Sequence, residues 1–447
     1  MLMLMLMLML MLMLMLMLMV MLRTGWYHEA SMAFQLQKTP QSFANFSLAV
    51  LAIVNLFNYM DRYVVSALFE SLKHSKLALS DLQLGLLMPS FLLVYMFSAP
   101  IFGALGDRRS RPRLIALGVT VWSLATSLSA FAGSYLSLIM ARAVVGVGEA
   151  AYGTIAPALL ADYFPVRQRG RIMAIFFCAI PVGAALGYIV GGLMDAHYGW
   201  RSAFFVAGVP GIVLATLCWK LRDPPRGGQE TEELRSAPQG SAYRTLLSNK
   251  PYVLNVLGYA AYTFAVGGLA AWMPAFLERI RGLSHAEAAV NFGSIVVATG
   301  FVGTFAGGWL GDYLARYSRS AYLWLSAIAT LAAVPFVWGA LTTPSHTLYT
   351  VWMVIAELLL FLSTGPVNAA TVNMVSPSMR ATALALQVFT IHLLGDVISP
   401  PLIGAISDAT SLAEGVKIVP LAVIVAGSFW CFAAYASRSG FTPHVPD

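Results

Sequence analysis

Charge is what this chain has least of. Asp, Glu, Lys and Arg make up 11% of its 447 residues, whereas soluble domains carry roughly 25%. Two or three soluble domains of this total length could not coat their surfaces with so few charges, and a 59% apolar content excludes a disordered chain. Cysteine is scarcer still. Cys178, Cys218 and Cys431 stand in apolar runs with no paired spacing, so neither a disulfide framework nor a zinc site is supported. There is no phosphate-cradling glycine loop, no His-Glu-x-x-His and no ordered set of Ser, His and Asp, so no cofactor is implied and an enzyme is not expected. An intramembrane hydrolase built on Asp61, Glu149 and His392 is the remote enzymatic alternative. Nucleic-acid binding is excluded too: the net charge is 27 − 20 = +7, but no folded soluble face exists to carry it.

Long apolar runs are what the chain has instead. Met1 to Met19 alternate strictly with Leu and end at Val20. Twenty apolar residues could span a bilayer, yet no basic segment precedes them and no small-residue cleavage site follows. The tract reads as an appended placeholder and is set aside, with residues 1–42 as an N-terminal segment. Beyond it, apolar stretches near 43–70, 82–106, 113–133, 135–162, 171–195 and 199–221 are each long enough for a helix to cross roughly 30 Å of hydrocarbon. Six more follow near 251–278, 286–311, 320–341, 348–375, 381–408 and 414–437. The pattern predicts an all-α polytopic membrane protein of twelve transmembrane helices in two six-helix bundles, 43–221 and 251–437. Residues 222–250, rich in Pro, Gly and Glu, read as a solvated linker with a short helix near 242–249, and 438–447 as a tail.

Lys and Arg set the expected orientation. Alternate loops and both termini hold 19 of them, the opposite loops 6, and Arg62 and Arg142 lie within spans, which accounts for all 27. Both termini are therefore expected in the cytoplasm, in the inner membrane if the source is bacterial, with the basic face against anionic lipid headgroups.

Two motifs recur in order. Gly103-Ala-Leu-Gly106-Asp107 returns as Gly308-Trp-Leu-Gly311-Asp312, 312 − 107 = 205 residues on. Pro165-Val-Arg-Gln-Arg169, with Arg171 beyond, returns as Pro377-Ser-Met-Arg380, and 380 − 169 = 211. Such a repeat makes the two halves homologous and pseudo-symmetric, an arrangement that suits a transporter whose halves rock around a midplane site. The matched spacing predicts a cytoplasmic gate of crossed pairs, Asp107 with Arg380 and Asp312 with Arg169 or Arg171, each carboxylate also facing a helix N-terminus.

Gly103-x-x-x-Asp107-Arg108-x-x-Arg111 resembles the signature loop of the major facilitator superfamily. Within that superfamily, Asn58-Tyr-Met-Asp61-Arg62 is similar to the spinster family, as is the segment from Arg142 through Glu149 to Pro157 and on to Phe164. So are Ala179-Ile-Pro-Val-Gly183 with Leu186-Gly-Tyr188, and Ala385-Leu-Gln387 through His392 and Asp396 to Pro400. The likeness runs from about residue 45 to 435. Anion:cation symporters share the charges of the first and fourth spans, but the fifth and eleventh favour spinster. The resemblance implies a proton-coupled, monomeric carrier working by alternating access on a lysophospholipid or sphingoid phosphate. A small organic anion is the alternative substrate.

A charge near mid-bilayer costs at least about 2.5–3.5 kcal/mol on insertion scales, so each needs a partner or an aqueous cavity. Asp61 follows some eighteen uncharged residues, and Arg142 and Glu149 are seven apart, two helical turns on nearly one face. A static ion-pair cluster is the plain reading. The functional one makes Asp61 and Glu149 proton carriers, with Arg62 and Arg142 as forks for an anionic headgroup. His392 and Asp396, four apart, share a helix face and with Tyr59 form the rest of the expected substrate contacts. Glu357, nearer the outer end of its span, reads as a contact or as a solvated group. Tyr262, Phe264, Trp272 and Met273 are weak candidates for the cavity wall, and the ladders Gly183, Gly187, Gly191 and Gly300, Gly303, Gly307 read as close helix packing.

Overall fold

The computed structural model describes residues 41–164, 172–173, 175–225, 242–318, 320–375 and 379–438. All regular structure among them is helical. The first half holds α1 (Gln41–Ala67), α2 (Asp81–Arg108), α3 (Arg111–Ser129), α4 (Tyr135–Tyr163), α5 (Ala179–Tyr198) and α6 (Trp200–Trp219). The second holds α7 (Lys250–Arg279), α8 (His285–Ala315), α9 (Ala321–Thr342), α10 (His346–Phe361 and Thr364–Asn373), α11 (Arg380–Ile391, then Ser399–Ala409) and α12 (Ile418–Arg438). A short helix, Ala242–Ser248, stands before α7 where the linker was expected to carry one. The Met-Leu tract, most of the linker, Arg169, Arg171 and the C-terminal tail lie outside the described residues, as do the side chains of Asp107 and Arg380.

Among the described residues, eleven helices are long and apolar enough to cross a membrane. The twelfth, α3, has 19 residues that include Arg111 and Arg113, and it still presents Leu117, Val121, Leu124 and Leu128 as one exposed stripe at helical spacing. That stripe suits lipid. Serine side chains start α2, α4 and α8: Ser80, Ser134 and Ser284 each close a capping box with the residue three further on, which satisfies N–H groups that the first helical turn leaves free.

Two of the spans are broken at prolines. In α10, Pro366 has no N–H for the Leu362 carbonyl, and the helix is interrupted at Leu362 and Ser363. In α11, Pro400 and Pro401 likewise deprive Asp396 and Val397, and the preceding turn, His392–Asp396, winds as a π-helix. The eleventh stretch was expected to be one α-helix. The missing N–H donors make it two pieces around a wider turn.

The helix-5 ladder packs as expected. A Cβ on Gly187 would lie 2.6 Å from the Met60 carbonyl oxygen and 2.9 Å from Tyr63 Cβ, so α5 and α1 touch backbone to backbone. Because the obstacle is main chain, Gly187→Val should cost about 1–3 kcal/mol of overpacking, read as a lower thermal midpoint in detergent. An unchanged midpoint would refute this close approach. Gly303 plays the same part between α8 and α10, with its missing Cβ 2.8 Å from the Leu358 carbonyl.

Candidate functional site

A cavity of about 310 Å³ lies between the halves, walled by α1, α2, α5, α7, α10 and α11. Its charged lining comes from Arg62 on one side and from His392 and Asp396 on the other, while Met88, Leu92 and Val266 are part of its apolar lining. Tyr59 and Tyr262 line it as expected. Of the other candidates, Trp272 is instead buried packing, its indole donating to the Pro400 carbonyl at 2.9 Å, and Met273 faces a separate small cavity. Phe264 is absent from the lining.

Adjacent residues on a helix point about 100° apart, so Asp61 and Arg62 go different ways. Asp61 is wholly buried; it accepts from Thr126 Oγ1 at 2.8 Å, and Arg142 Nη1 lies 3.3 and 3.4 Å from its two oxygens. Arg62 turns to the cavity and donates from Nε to Glu149 Oε2 at 2.7 Å. The four charges thus form two crossed pairs, α1 to α4. Phe91 on α2 packs against both cations, its ring centre 5.3 Å from the Arg62 guanidinium carbon and 5.1 Å from that of Arg142. Tyr59 and Tyr95 add two more rings around Arg62, at 4.7 and 5.5 Å.

Arg142 does not line the cavity. It is fully buried and paired with Asp61, although its Nε and Nη2 donors have no partner. Glu149 Oε1 and Asn58 Nδ2 beside this cluster are likewise unmatched. Unsatisfied donors and acceptors of this kind are uncommon in folded interiors. The cluster therefore has polar capacity that a purely structural ion-pair lock would not need.

His392 Nδ1 and Asp396 Oδ2 stand 2.7 Å apart, the i,i+4 contact the sequence predicts, made across the π turn. Gly267 makes room for this carboxylate, since a Cβ there would sit 2.6 Å from Asp396 Oδ1. Glu357 is buried rather than solvated, because α7, α8 and α9 close over it. Asp312 accepts from Tyr322 at 2.8 Å within its own half; its expected partners Arg169 and Arg171 lie outside the described residues.

A second cluster, which no sequence motif singled out, lies at the end of the bundle opposite Gln41 and Arg438. Here Arg279, ending α7, donates to Asp81 at 2.6 and 3.1 Å and to Glu70 at 3.0 Å. Lys73 also reaches Asp81, at 2.7 Å, and Ser407 donates to it at 2.5 Å. Asp408 accepts the free N–H groups of Asp81 and Leu82, both at 2.8 Å, at the start of α2. His285 sits between Asp195 of the first half and Glu278, 2.8 Å from each. These contacts tie the halves together at this end. A sequence signal existed in the position of each residue at a span's edge, but loop charges at span ends read first as topology signals.

Residues 51–400 match the Major Facilitator Superfamily. Twelve helices in two halves around a charged central cavity define a membrane transporter of that class. The chain is 36% identical over 384 residues to human protein spinster homolog 1, covering 81% of this chain and 72% of that protein. It is 36% identical over 385 residues to protein spinster homolog 3 of Danio rerio, covering 82% and 77%. Against protein spinster of Drosophila melanogaster the identity is 36% over 376 residues, 81% of this chain and 62% of that longer protein. The chain belongs to the spinster family. A crystal structure of a bacterial homolog to the human lysosomal transporter spinster, inward-facing and unoccupied, shares its fold with a TM-score of 0.83 at 24% identity, over 91% of this chain and all of that one. A D-xylose-proton symporter aligns at 0.67 and 18% identity, over 86% and 97%.

Proposed function

We propose that this multi-pass transporter couples proton movement to the carriage of an amphiphilic anion by alternating access. The observation that carries the reading is Arg62, which faces the cavity while its only ion-pair partner among the described residues is the buried Glu149. A substrate phosphate or carboxylate arriving at Arg62 competes with Glu149 for the same donors, and a proton on Glu149 settles that competition in the substrate's favour. Asp61 and Arg142 repeat the arrangement one layer deeper: protonating Asp61 would release Arg142, whose spare donors could then take part in holding the anion. His392 and Asp396 supply the polar contact from the second half, and the apolar wall suits a lipid-like tail.

The loops on the side of the Arg279 cluster carry 6 of the Lys and Arg residues and the alternate loops with both termini 19, which favours cytoplasmic termini. On the opposite stroke, Asp107 with Arg380, and Asp312 with Arg169 or Arg171, would close the cytoplasmic end. The carrier acts as a monomer among membrane lipids. The test is uptake into proteoliposomes, with lysophospholipids and sphingoid phosphates set against sugar acids, with and without a pH gradient. Gradient-driven uptake of a lysolipid, abolished by Arg62→Ala, is the expected result. Uptake of the sugar acids alone would establish the small-anion reading in its place.

A further inference from the structure

We infer that Glu357 is a second proton-binding site, in the C-terminal half and outside the central cavity, where a neutral carboxyl group hydrogen-bonds Thr299. The inference builds on the proton coupling proposed above, but its evidence is separate. Thr299 Oγ1 lies 2.9 Å from Glu357 Oε2 and 2.7 Å from the Ile295 carbonyl oxygen. A threonine hydroxyl has one hydrogen to donate. With an ionised carboxylate, one of these two short contacts sets lone pair against lone pair. With a proton on Glu357, both are satisfied: the acid donates to Thr299, and Thr299 donates to Ile295.

The charges around Glu357 agree with this count. The side chain is buried, and no described cation forms an ion pair with it. On α8 the ionisable groups near the ends are His285, Glu287 and Asp312, each twelve or more residues from Thr299, and α9 has no charged residue at all. On α7, Arg279 is engaged with Glu70 and Asp81. Arg281, just past α7, donates to Ala340 and stacks over Tyr349, two turns from Glu357 along α10. The ionisable groups that face the site are Tyr188 of α5 and Tyr262 of α7, whose hydroxyls donate to the Ala270 and Leu360 carbonyls. Asp61 and Glu149 each have an arginine. Glu357 has none, and an isolated buried charge costs several kcal/mol where a hydrogen-bonded neutral acid does not.

Position gives the proton a use. Glu357 borders a cavity of about 20 Å³ with Leu269, Met273 and Leu360, room for about one water. One and two turns along α10, Phe361 and Thr364 line the central cavity, and the break in α10 falls between them. A rearrangement at that break would change the packing of α8 on α10, and with it the Thr299 contact.

Infrared spectra of the purified full-length protein at neutral pH test this. A protonated-carboxyl carbonyl band is expected, lost in Glu357→Gln and retained in the double variant Asp61→Asn, Glu149→Gln. Gln has the acid's shape and an N–H donor for Thr299, so the fold should survive. As a second check, Thr299→Val removes the acceptor and should move the band without abolishing it. A band unaltered by Glu357→Gln and by Thr299→Val overturns the assignment. Because no substrate is used, failure of the transport reading leaves this outcome legible by itself.

Discussion

Arg279→Ala is expected to loosen the end of the transporter at which Arg279, Glu70 and Asp81 tie the halves together. Arg279 joins α7 to both Glu70 and Asp81, and Asp81 is 1% exposed. Removing one partner of a buried pair leaves the other charged and poorly solvated, which costs about 3–5 kcal/mol when burial is complete. Arg279 itself is 21% exposed and Lys73 remains on Asp81, so a loss of about 2–3 kcal/mol is the better expectation. That amounts to a shift of roughly 30- to 150-fold between closed and open populations. Single cysteines placed along the cavity side of α2 and α7 should become reactive towards a membrane-impermeant reagent added at that end. Equal labelling of variant and parent would remove the cluster from the gate. Asp408→Asn should act in the same direction and more weakly, since it retains one acceptor for the α2 N–H groups.

Replacing the two buried carboxylates should separate coupling from binding. Asp61→Asn and Glu149→Gln keep size and polarity but cannot exchange a proton, and each leaves its arginine without a counter-charge. Gradient-driven accumulation is expected to fall by about 100-fold or more, while exchange of substrate at equal pH continues, on the scale that loss of a proton-transfer group produces. Arg62→Ala and Arg142→Ala should instead weaken binding itself, with the larger loss at Arg62 because it already lines the cavity. A purely structural cluster predicts a different pattern: all four variants lower the thermal midpoint and none changes the response to pH. Carboxamide variants that still concentrate substrate under a pH gradient would show that the coupling lies elsewhere.

The prediction for Arg62 against Arg142 shows what a sequence can and cannot rank. Both arginines stand in apolar helices, and both are equally conspicuous as charges. Which one meets the cavity depends on the rotation of α1 and α4 about their axes, which the surrounding helices set. Phe91 and Tyr95, which flank these cations, are ordinary aromatics of an apolar run until α2 packs beside α1. His392 and Asp396 were legible as a pair, because a four-residue separation brings side chains together in an α turn and in the π turn found here. Glu357 stayed ambiguous between a contact and a solvated group, since nothing in the chain announces that α7, α8 and α9 cover it.

What the sequence alone determined is everything written in composition, period and repeat. Apolar run length dictates the spans, because unsatisfied backbone groups are too costly in hydrocarbon for anything but helices. The recurrence of Gly-x-x-Gly-Asp sets the two halves, and mid-span charge marks the residues that need partners. Tertiary structure alone decided who those partners are. The crossing of Asp61 to Arg142 and Arg62 to Glu149, the clamp of Arg279 on residues some two hundred positions earlier, and the unpaired state of Glu357 all depend on contacts between distant helices. Local sequence fixes which face of a helix a side chain occupies, but only the packing of the helices decides what stands opposite.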